Sequence, residues 1–366
     1  MEVDKTIVAQ KVTVASGDGA YFLAGLTGPL TGRRIELPPN GATLGRSVDT
    51  VIQVKDPAVS SRHCRLAIIM GQVIVQDLGS SNGTFIDEGL VAEPQSFPIG
   101  SVLQIGNSLF KLEFRSRQEV LEEERQGREL EKAAGYVRAL LPPPLTAPPV
   151  LTEWRFIPSD QLGGDAFGYH FLEDGRFALY LVDVCGHGAA PALHSVAVIN
   201  TLRKQSLPNV DFTHPDEVLR ALNADFQMEE HANMYFTLWY GVMDVANRRL
   251  VYASGGHPPA VLIDAEGAVT RLITPNLAIG MLPGVGFKAA EVDIPAGSRL
   301  YLYSDGAYEV VTKAGEEWRV EEFLEVLQRE PQQGLAETAR VEREVRAVMQ
   351  GTVFDDDFSL LVLRFP

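Results

Sequence analysis

A charge-dense stretch that ends in prolines divides this chain into two parts with different patterning. The stretch SRQEVLEEERQGRELEKAAGYVRALL begins at Ser116, and its apolar residues recur at steps of three and four: Leu130, Ala133, Val137 and Leu140. This spacing predicts a helix with one narrow apolar seam. The prolines of PPPL and APPV then stop the helix. We therefore expect two domains joined by a helical and proline-rich linker over residues 116–150.

Two interpretations of the linker helix are open. The helix can pack its seam against its own domain, or it can form a coiled coil that makes a homodimer. The seam is short and Gly127 weakens the helix, so the pattern does not choose between them.

The part before the linker, residues 20–115, has short apolar runs separated by Gly, Pro, Asn and Asp. Examples are QVIVQDL (72–78) and VLQIG (102–106). This pattern predicts an all-β sandwich. Between VIVQDL and TFI, Asn82-Gly83 predicts a type I′ hairpin turn, because that turn needs positive φ at both positions.

The part after the linker, residues 151–366, mixes strands and helices. FALYLVDV, FTLWYGVM, RLVYASG, RLYLYSDG and FSLLVLRF are apolar runs typical of buried strands. Strands follow one another with helices between only some of them, which favours an α+β domain with antiparallel sheets. Helices are expected over residues 189–205, 215–228 and 335–349.

Composition excludes several classes of protein. The net charge of −16 repels phosphate backbones, so nucleic acid is not an expected partner. No apolar run approaches the roughly 20 residues of a spanning helix, and the first residues lack the layout of a secretory signal. The two cysteines, Cys64 and Cys185, lie in different predicted domains, so no disulfide framework is expected. We expect a cytoplasmic protein with no membrane partner.

Carboxylates stand at the ends of several predicted strands. Asp165 and Asp183 lie nine residues to either side of Asp174 in the predicted turn, so an antiparallel hairpin brings both to one end. Asp305 ends the run RLYLYS, and Asp355–Asp357 precede the last strand. A single such acid is usually part of a turn, but four of them repel one another unless a cation holds them. Carboxylate and carbonyl oxygens suit Mg²⁺ or Mn²⁺.

These residues carry a resemblance. The stretches PSDQLGGDAFG, LVDVCGHGAAPAL, MYFTLWYGVMDVANRRLVYASGGHPPAVL, LYLYSDGAYE and DDFSLLVLR occur in this order over residues 153–366. This part resembles the bacterial branch of the PPM (PP2C-like) serine/threonine phosphatases, the sporulation and stress-response type. The resemblance implies an α-β-β-α sandwich and a site for two Mn²⁺ or Mg²⁺ ions at one edge of it.

The family motifs carry over residue by residue. Asp165 of GGD, Asp183 of DVCGHG, Asp305 of SDG and Asp356 of DDF match the metal-ligand carboxylates that are also the catalytic residues. The carbonyl of Val184 matches a backbone ligand. Bound ions of this kind hold the phosphate and lower the pKa of a water, so the resemblance requires no nucleophilic side chain.

Several neighbouring residues have weaker assignments. His187 is either a general acid or a turn residue that satisfies backbone groups, and the second is favoured. His257 is expected to be structural, and Cys185 is expected to be a small buried residue. Many relatives have a second Asp where this chain has Gly168. No residue matches the phosphate-gripping Arg of the eukaryotic branch.

Three loops of the first part also carry a resemblance. They are LGRS (44–47), VSSRHC (59–64) and LGSSNGTF (78–85). Their motifs and spacing resemble a forkhead-associated (FHA) domain, in which loops at one end of the sandwich bind phosphothreonine peptides. The alternatives are that these loops are only turns, or that the domain binds an unphosphorylated partner.

The FHA resemblance assigns individual residues. Arg46 and Ser60 match the phosphate ligands, Ser61 and Ser81 match neighbouring contacts, and Asn82 matches the residue that grips the peptide backbone. A guanidinium and hydroxyls suit a phosphate dianion, because they give charge-assisted hydrogen bonds. His63 is expected to brace the loop. The implied partner is a phosphothreonine protein such as a Ser/Thr kinase.

Together these patterns predict a multidomain protein: an all-β FHA sandwich at 20–115, a linker helix, and an α+β PP2C-like α-β-β-α sandwich at 151–366. The predicted function is a metal-dependent Ser/Thr protein phosphatase that acts on a phosphorylated signalling regulator. A silent phosphothreonine-reading scaffold is the alternative from another class. Hydrolysis of a small phosphorylated molecule is less favoured, because no nucleotide-binding fingerprint is present.

Overall fold

The structure is a computed structural model, and it describes residues 19–366. Two compact units divide the chain between Gly127 and Arg128. This boundary falls inside helix α1 (Arg117–Leu140), so one helix contributes to both units.

The first unit is a β-sandwich, as predicted. One sheet has the strand order β2-β1-β11-β10-β7-β8 and the other has the order β4-β3-β5-β6-β9. Buried aliphatic and aromatic side chains from both sheets, such as Leu44, Leu66 and Phe110, fill the space between them. The strands are β1 (Gly19–Gly25), β2 (Arg34–Glu36), β3 (Ala42–Gly45), β4 (Ile52–Gln53), β5 (Cys64–Ile69), β6 (Gln72–Asp77), β7 (Thr84–Ile86), β8 (Gly89–Leu90), β9 (Gln95–Phe97), β10 (Val102–Ile105) and β11 (Ser108–Ser116).

The hairpin predicted at Asn82-Gly83 is wrong. β6 pairs with β5 and β9, whereas β7 pairs with β8 and β10 in the other sheet. The carboxylate of Asp77 accepts the backbone N–H groups of Gly79 and Ser80 at 2.8 and 2.9 Å, and this turn ends β6. The chain then crosses between sheets, and the Asn-Gly pair lies in the crossing loop.

The second unit has four layers. Sheet β13-β14-β15-β16-β19 faces sheet β12-β21-β20-β17-β18, and every strand pair in both is antiparallel. Helices α2 and α3 cover the first sheet, and α4 and α5 cover the second. The strands are β12 (Leu151–Ile157), β13 (Ala166–Phe171), β14 (Phe177–Val184), β15 (Phe236–Asp244), β16 (Arg249–Gly255), β17 (Ala260–Ile263), β18 (Val269–Leu272), β19 (Ala290–Asp293), β20 (Ser298–Tyr303) and β21 (Phe358–Phe365).

This arrangement confirms the predicted α-β-β-α sandwich. The α-helices of the second unit are α2 (Ala189–Arg203), α3 (Pro215–Asp225), α4 (Val320–Gln328) and α5 (Glu337–Val348), and 3₁₀ turns cover Met228–Glu230 and Asp305–Ala307. Three of these α-helices match the predicted ones. The sequence patterns did not predict α4.

The apolar seam of α1 packs within the second unit. Val137 is buried in a cluster with Ala192 of α2, and Leu130 and Ala134 border the same cluster. Ala133, which was expected in the seam, is exposed. The contact uses the seam within the chain, which favours the packing interpretation of the helix; dimerisation stays a hypothesis.

The start of α1 packs within the first unit. Val120 is buried with Ala20 and Phe22 of β1. Glu123 forms ion pairs with Arg34 and Arg115, at 3.2 and 2.5 Å. The same helix therefore has its own contacts in each unit.

Candidate functional site

The β13–β14 hairpin brings two predicted acids to one end of a sheet. Its register pairs Ala166 with Val182, so the next two residues outward are Asp165 and Asp183. Asp165 is only 2% exposed, and Asp183 is partly buried. The hairpin therefore holds both carboxylates beside each other at the edge of the first sheet.

The other two predicted acids come from the facing sheet. Asp305 begins the 3₁₀ turn after β20, and Asp356 lies two residues before β21, its antiparallel neighbour. The two sheets pack face to face through a shared core. The structure thus brings Asp165, Asp183, Asp305 and Asp356 to one edge of the sandwich.

The acids of this edge raise one another's pKa values. Burial, and then the charges of Asp305 and Asp356, raise the pKa of Asp183 to about 8. Burial and the charge of Asp356 raise the pKa of Asp305 to about 6. Burial and the charge of Asp183 raise the pKa of Asp165 well above its usual range. The carboxylates of Asp165, Asp183 and Asp305 are therefore each destabilised by at least one other acid of the set, as expected of a cluster that needs a cation.

The glycines of the motifs fit the same site. Gly186 and Gly188 have φ values of 89° and 97°, which L-residues rarely adopt, so the GHG turn can reverse the chain between β14 and α2. A Cβ at Gly164 would lie 2.7 Å from the carbonyl oxygen of Val184. Gly164 therefore allows that carbonyl to approach the GGD segment closely.

A fifth acid, Asp357, holds the segments of the site together. The backbone N–H and hydroxyl of Ser159 donate to its Oδ1 at 2.7 and 3.0 Å, and the backbone N–H of Asp165 donates to its Oδ2 at 3.3 Å. The Ser304 hydroxyl donates to its carbonyl oxygen at 2.9 Å. A Cβ at Gly163 would lie 2.3 Å from its carboxylate, so this contact requires glycine there.

A second residue that the sequence patterns did not single out is Glu309. It is exposed, and its charge contributes to the raised pKa values of Asp183 and Asp305. Glu309 ends the stretch LYLYSDGAYE, so its position four residues after Asp305 was visible in the motif.

The donor set fits a hard divalent cation. Oδ2 of Asp165 is buried and has no hydrogen-bond partner in the part of the chain that is described. No group of three or more His, Cys, Asp and Glu side chains within residues 19–366 is arranged to hold an ion by itself. Mg²⁺ usually takes one or two carboxylates and completes its shell with waters and substrate phosphates. The paired acids and the Val184 carbonyl offer oxygen atoms of that kind.

His187 and Cys185 differ from the expectations. The His187 side chain is exposed and makes no hydrogen bond among the described residues, so the turn-bracing role is wrong. Burial raises the pKa of Asp356 overall, and the neighbouring His187 opposes this shift. Cys185 is half-buried, and its Sγ accepts the backbone N–H of Tyr235 at 3.4 Å.

His257 and Gly168 have structural roles. Nδ1 of His257 donates to the carbonyl of Pro258 at 3.0 Å, and burial lowers the pKa of its ring to about 4. Gly168 pairs with Tyr180 across the hairpin, and a Cβ there would lie 2.4 Å from the Tyr180 ring. A larger residue at position 168 would displace that ring.

The loops of the first unit bring the predicted phosphopeptide residues together. The backbone N–H of Arg46 donates to the carbonyl of Ser60 at 2.9 Å, and its Nε donates to Val59 at 3.2 Å. The backbone N–H of Ser81 donates to the Ser60 hydroxyl at 3.0 Å. Asn82 donates from Nδ2 to the carbonyl of Ala58 at 2.7 Å. Ser61 lies in the same loop and is exposed, and its carbonyl accepts the N–H of Ser47.

His63 braces these loops, as expected. It is fully buried; Nδ1 accepts the backbone N–H of Ser60 at 3.1 Å, and Nε2 donates to the carbonyl of Gly83 at 3.0 Å. One ring thus fixes the Ser60 loop against the Asn82 loop. Arg46, Ser60, Ser81 and Asn82 are left on the surface or partly exposed.

Two facing antiparallel sheets between helical layers, with carboxylates at one edge, define the PP2C-like class. The chain belongs to the family described as Stage II sporulation protein E (SpoIIE), whose family model matches residues 173–366. The model of the FHA domain matches residues 42–106, so an FHA domain precedes the PP2C-like domain.

Relatives and solved structures agree with this organisation. Phosphoserine phosphatase RsbP of Bacillus subtilis is 31% identical over 183 residues, which are 49% of this chain and 45% of RsbP. FhaB, an FHA domain-containing protein of Mycobacterium tuberculosis, is 37% identical over 93 residues, which are 25% of this chain and 60% of FhaB. The SiaA-PP2C domain of Pseudomonas aeruginosa superposes with a TM-score of 0.57 at 21% identity, covering 67% of this chain and 99% of that domain.

The chain thus spans 45% of the length of RsbP and 60% of that of FhaB. In residues 19–366, none of the helices combines the length and apolar character needed to cross a membrane.

Proposed function

We propose that this protein is a metal-dependent protein phosphatase that hydrolyses phosphoserine or phosphothreonine on a signalling regulator. Its FHA domain binds phosphothreonine partners, among which a Ser/Thr kinase is one candidate. The observation that carries the proposal is the set of four acids at one edge of the sandwich, in which the charges of Asp183, Asp305 and Asp356 each raise the pKa of a neighbouring acid.

The acids divide into two pairs by their origin in the fold. Asp165 and Asp183 come from the β13–β14 hairpin, and Asp305 and Asp356 come from β20 and β21. These residues and the Val184 carbonyl would hold Mg²⁺ or Mn²⁺. Such a pair of ions supplies Lewis acidity toward the phosphate oxygens and a water of lowered pKa. The chain's own part is to fix the carboxylates, which Asp357 does through Ser159 and Asp165.

The relatives support the reaction class. RsbP carries the name phosphoserine phosphatase, and its similarity covers half of this chain. A silent scaffold would not need to keep a mutually repelling acid cluster, because that cluster destabilises the fold when no cation is bound. The retained acids therefore favour an enzyme over a scaffold.

The FHA part of the proposal rests on different residues. Arg46, Ser60 and Asn82 lie on neighbouring loops that His63 braces, so their polar groups are ordered before any peptide binds. An ordered guanidinium and hydroxyl suit a phosphate dianion. The linker helix, with contacts in each unit, is a candidate for relaying partner binding to the acids.

Hydrolysis of a chromogenic phosphate ester tests the first part of the proposal. The full chain is assayed with EDTA, Mg²⁺ or Mn²⁺, beside Asp183→Asn and the matched control Asp293→Asn, an exposed acid of the same sheet. We expect metal-dependent turnover that falls by about a thousandfold or more in Asp183→Asn and is unchanged in the control. Equal turnover in the two variants would exclude the acid cluster as the active site.

If the wild-type chain shows no turnover with any metal, the assay is repeated with a phosphothreonine peptide added. Turnover that appears only then supports an enzyme regulated through its FHA domain. Continued inactivity favours the scaffold.

Peptide binding tests the second part. We expect Arg46→Ala to abolish binding of phosphothreonine peptides and to leave ester hydrolysis unchanged, whereas Arg65→Ala, which removes an exposed arginine of β5, changes neither. Phosphopeptide affinity that survives Arg46→Ala would exclude the assigned site.

A further inference from the structure

A cavity of about 510 Å³ lies at the ends of β20 and β21 that are remote from the acid cluster. Arg299 of β20 and Arg364 of β21 line it, together with the turn at residues 264–267 and the end of α4. The strands run from this cavity to Asp305 and Asp356 respectively, so the two sites occupy opposite ends of the same strand pair.

Arg299 and Arg364 are direct neighbours across the two strands. Like charges in directly opposed positions of an antiparallel pair destabilise the sheet. Arg364 has one acidic partner, because its Nη2 pairs with Oε1 of Glu153 at 2.5 Å. The Arg299 side chain makes no hydrogen bond or ion pair within residues 19–366, and its guanidinium lies 6.0 Å from the ring centroid of Tyr301. The pair therefore keeps one positive charge that the described residues do not neutralise.

The burial of one nitrogen in each guanidinium group increases this imbalance. Nη1 of Arg299 and Nε of Arg364 are buried and have no hydrogen-bond partner in the described part of the chain. A buried donor that lacks a partner costs roughly 1–3 kcal/mol, and more when it is charged. The side chains as a whole are partly exposed, but these two nitrogens are shielded from water. An anion placed between the arginines would satisfy both.

The rim of the cavity restricts the kind of anion. Asp264 is hydrogen-bonded within its own turn, since its Oδ1 accepts the backbone N–H groups of Glu266 and Ala268 at 3.0 and 2.7 Å. Glu266 and Glu330 are exposed at the rim. These acids repel a ligand with many negative charges and tolerate one small anionic group.

We propose that this cavity binds a small oxyanion, a phosphate or carboxylate group, between the guanidinium groups of Arg299 and Arg364. The planar fork of each arginine offers paired N–H donors to such a group. The proposal is independent of the proposed activity, because it uses none of the acids at the other end of the strands.

Calorimetric titration tests this site in the full chain. All proteins carry Arg46→Ala, which removes the FHA phosphate ligand, and EDTA is present so that no metal binds the anion. Phosphate and acetate are titrated separately into this background, into the same background with Arg299→Gln, and into a matched control with Arg271→Gln. Arg271 is an exposed arginine of the same sheet that already pairs with Glu321.

We expect Arg299→Gln to weaken anion binding by at least about tenfold and Arg271→Gln to leave it unchanged. Tighter binding of phosphate assigns the site to a phosphate group, and equal or tighter binding of acetate assigns it to a carboxylate. Failure of both anions to bind, or equal affinities in the two variants, would overturn the proposal.

Thermal unfolding gives a second test that does not depend on the heat of binding. Without anion, Arg299→Gln is expected to be at least as stable as its background, because the substitution removes the repulsion. Anion is expected to raise the melting temperature of the background and not that of Arg299→Gln. An Arg299→Gln protein that melts lower and keeps its anion response would show that Arg299 has only a structural role.

Discussion

The two units of this protein both bury aspartates, but in opposite surroundings. In the first unit, Asp56 is 3% exposed and accepts N–H and O–H groups from Ala58, Asn107 and Ser108. Burial alone would raise its pKa, but these hydrogen bonds outweigh burial and lower it. In the second unit, Asp183 faces other carboxylates, and its pKa is raised to about 8. The partners of a buried acid, and not its burial, therefore separate a structural brace from a candidate ligand.

The contrast also exists within the second unit. Asp356 is exposed at the edge of the acid cluster, whereas Asp357 is buried and accepts hydrogen bonds from Ser159 and Asp165. Of these adjacent aspartates, Asp357 is thus a structural brace and Asp356 is a candidate ligand.

The largest effect is expected for Asp56→Ala. The substitution leaves buried N–H and O–H donors without an acceptor, so we expect the first unit to lose about 3 kcal/mol or more of unfolding free energy. Trp154, Trp239 and Trp318 all lie in the second unit, so tryptophan fluorescence follows that unit and circular dichroism follows both. Denaturation should show the loss by circular dichroism only. Asp49→Ala, an exposed acid of the same unit, is the control, and an equal loss there would contradict the assignment.

The pH dependence of the first unit checks the same brace without removing it. The folded-state pKa of Asp56 is lowered, so its contribution to stability is present above the unfolded value of about 3.9 and is lost as the pH falls through the folded value. We expect Asp56→Asn to reduce the difference in unfolding free energy between pH 6 and pH 3. An unchanged difference would mean that Asp56 is not a stabilising carboxylate.

For Asp357→Asn we expect a smaller effect, seen in metal binding. Asparagine keeps one side-chain oxygen that can accept from Ser159. Its amide NH₂ faces the backbone N–H of Asp165 and cannot accept a hydrogen bond from it. Since residues that orient ligands typically contribute ten- to hundredfold to metal affinity, we expect Mn²⁺ binding to weaken by about tenfold. Asp355→Asn, which changes the exposed neighbouring acid, should bind as wild type. Equal weakening in both variants would contradict a specific brace.

The smallest effect, and one of opposite sign, is expected for Asp183→Asn without metal. Above the pKa of about 8, Asp183 is charged and Asp183→Asn relieves its repulsion from Asp305 and Asp356, so at pH 9 the second unit should melt roughly 2–4 °C higher in EDTA. Asp293→Asn should not change the melting temperature. A lower melting temperature for Asp183→Asn would place Asp183 with Asp56 as a structural acid and remove the contrast between the units.

The sequence predicts the architecture and the acids well, because strand-end positions follow directly from apolar runs and turns. The nine-residue spacing around Asp174 predicts the hairpin, and the structure pairs the strands in that register. The glycines of GGD and SDG are visible in the sequence as parts of motifs, but the sequence does not show why glycine is needed there. Gly163 and Gly306 each leave room for Asp357, which comes from a distant part of the chain.

Prediction from the sequence fails where several residues share one local pattern and only tertiary contacts distinguish their roles. Asp355, Asp356 and Asp357 are three identical residues in a row, and only the fold distinguishes the buried one. Asn82-Gly83 has the composition of a hairpin turn, but the Asp77 turn ends the strand first and sends the chain to the other sheet. His187 was expected to brace its turn, but the two glycines form that turn without it.

Binding of Mn²⁺ to the full chain tests the central claim most directly, because it does not require the protein to be active. Metal-free wild type, Asp183→Asn and Asp293→Asn are titrated and followed by calorimetry and by the electron paramagnetic resonance of free Mn²⁺. We expect wild type and Asp293→Asn to bind equally and Asp183→Asn to bind at least about tenfold more weakly. No binding by wild type, or equal binding by all three proteins, would contradict the assignment of the acid cluster as a metal site.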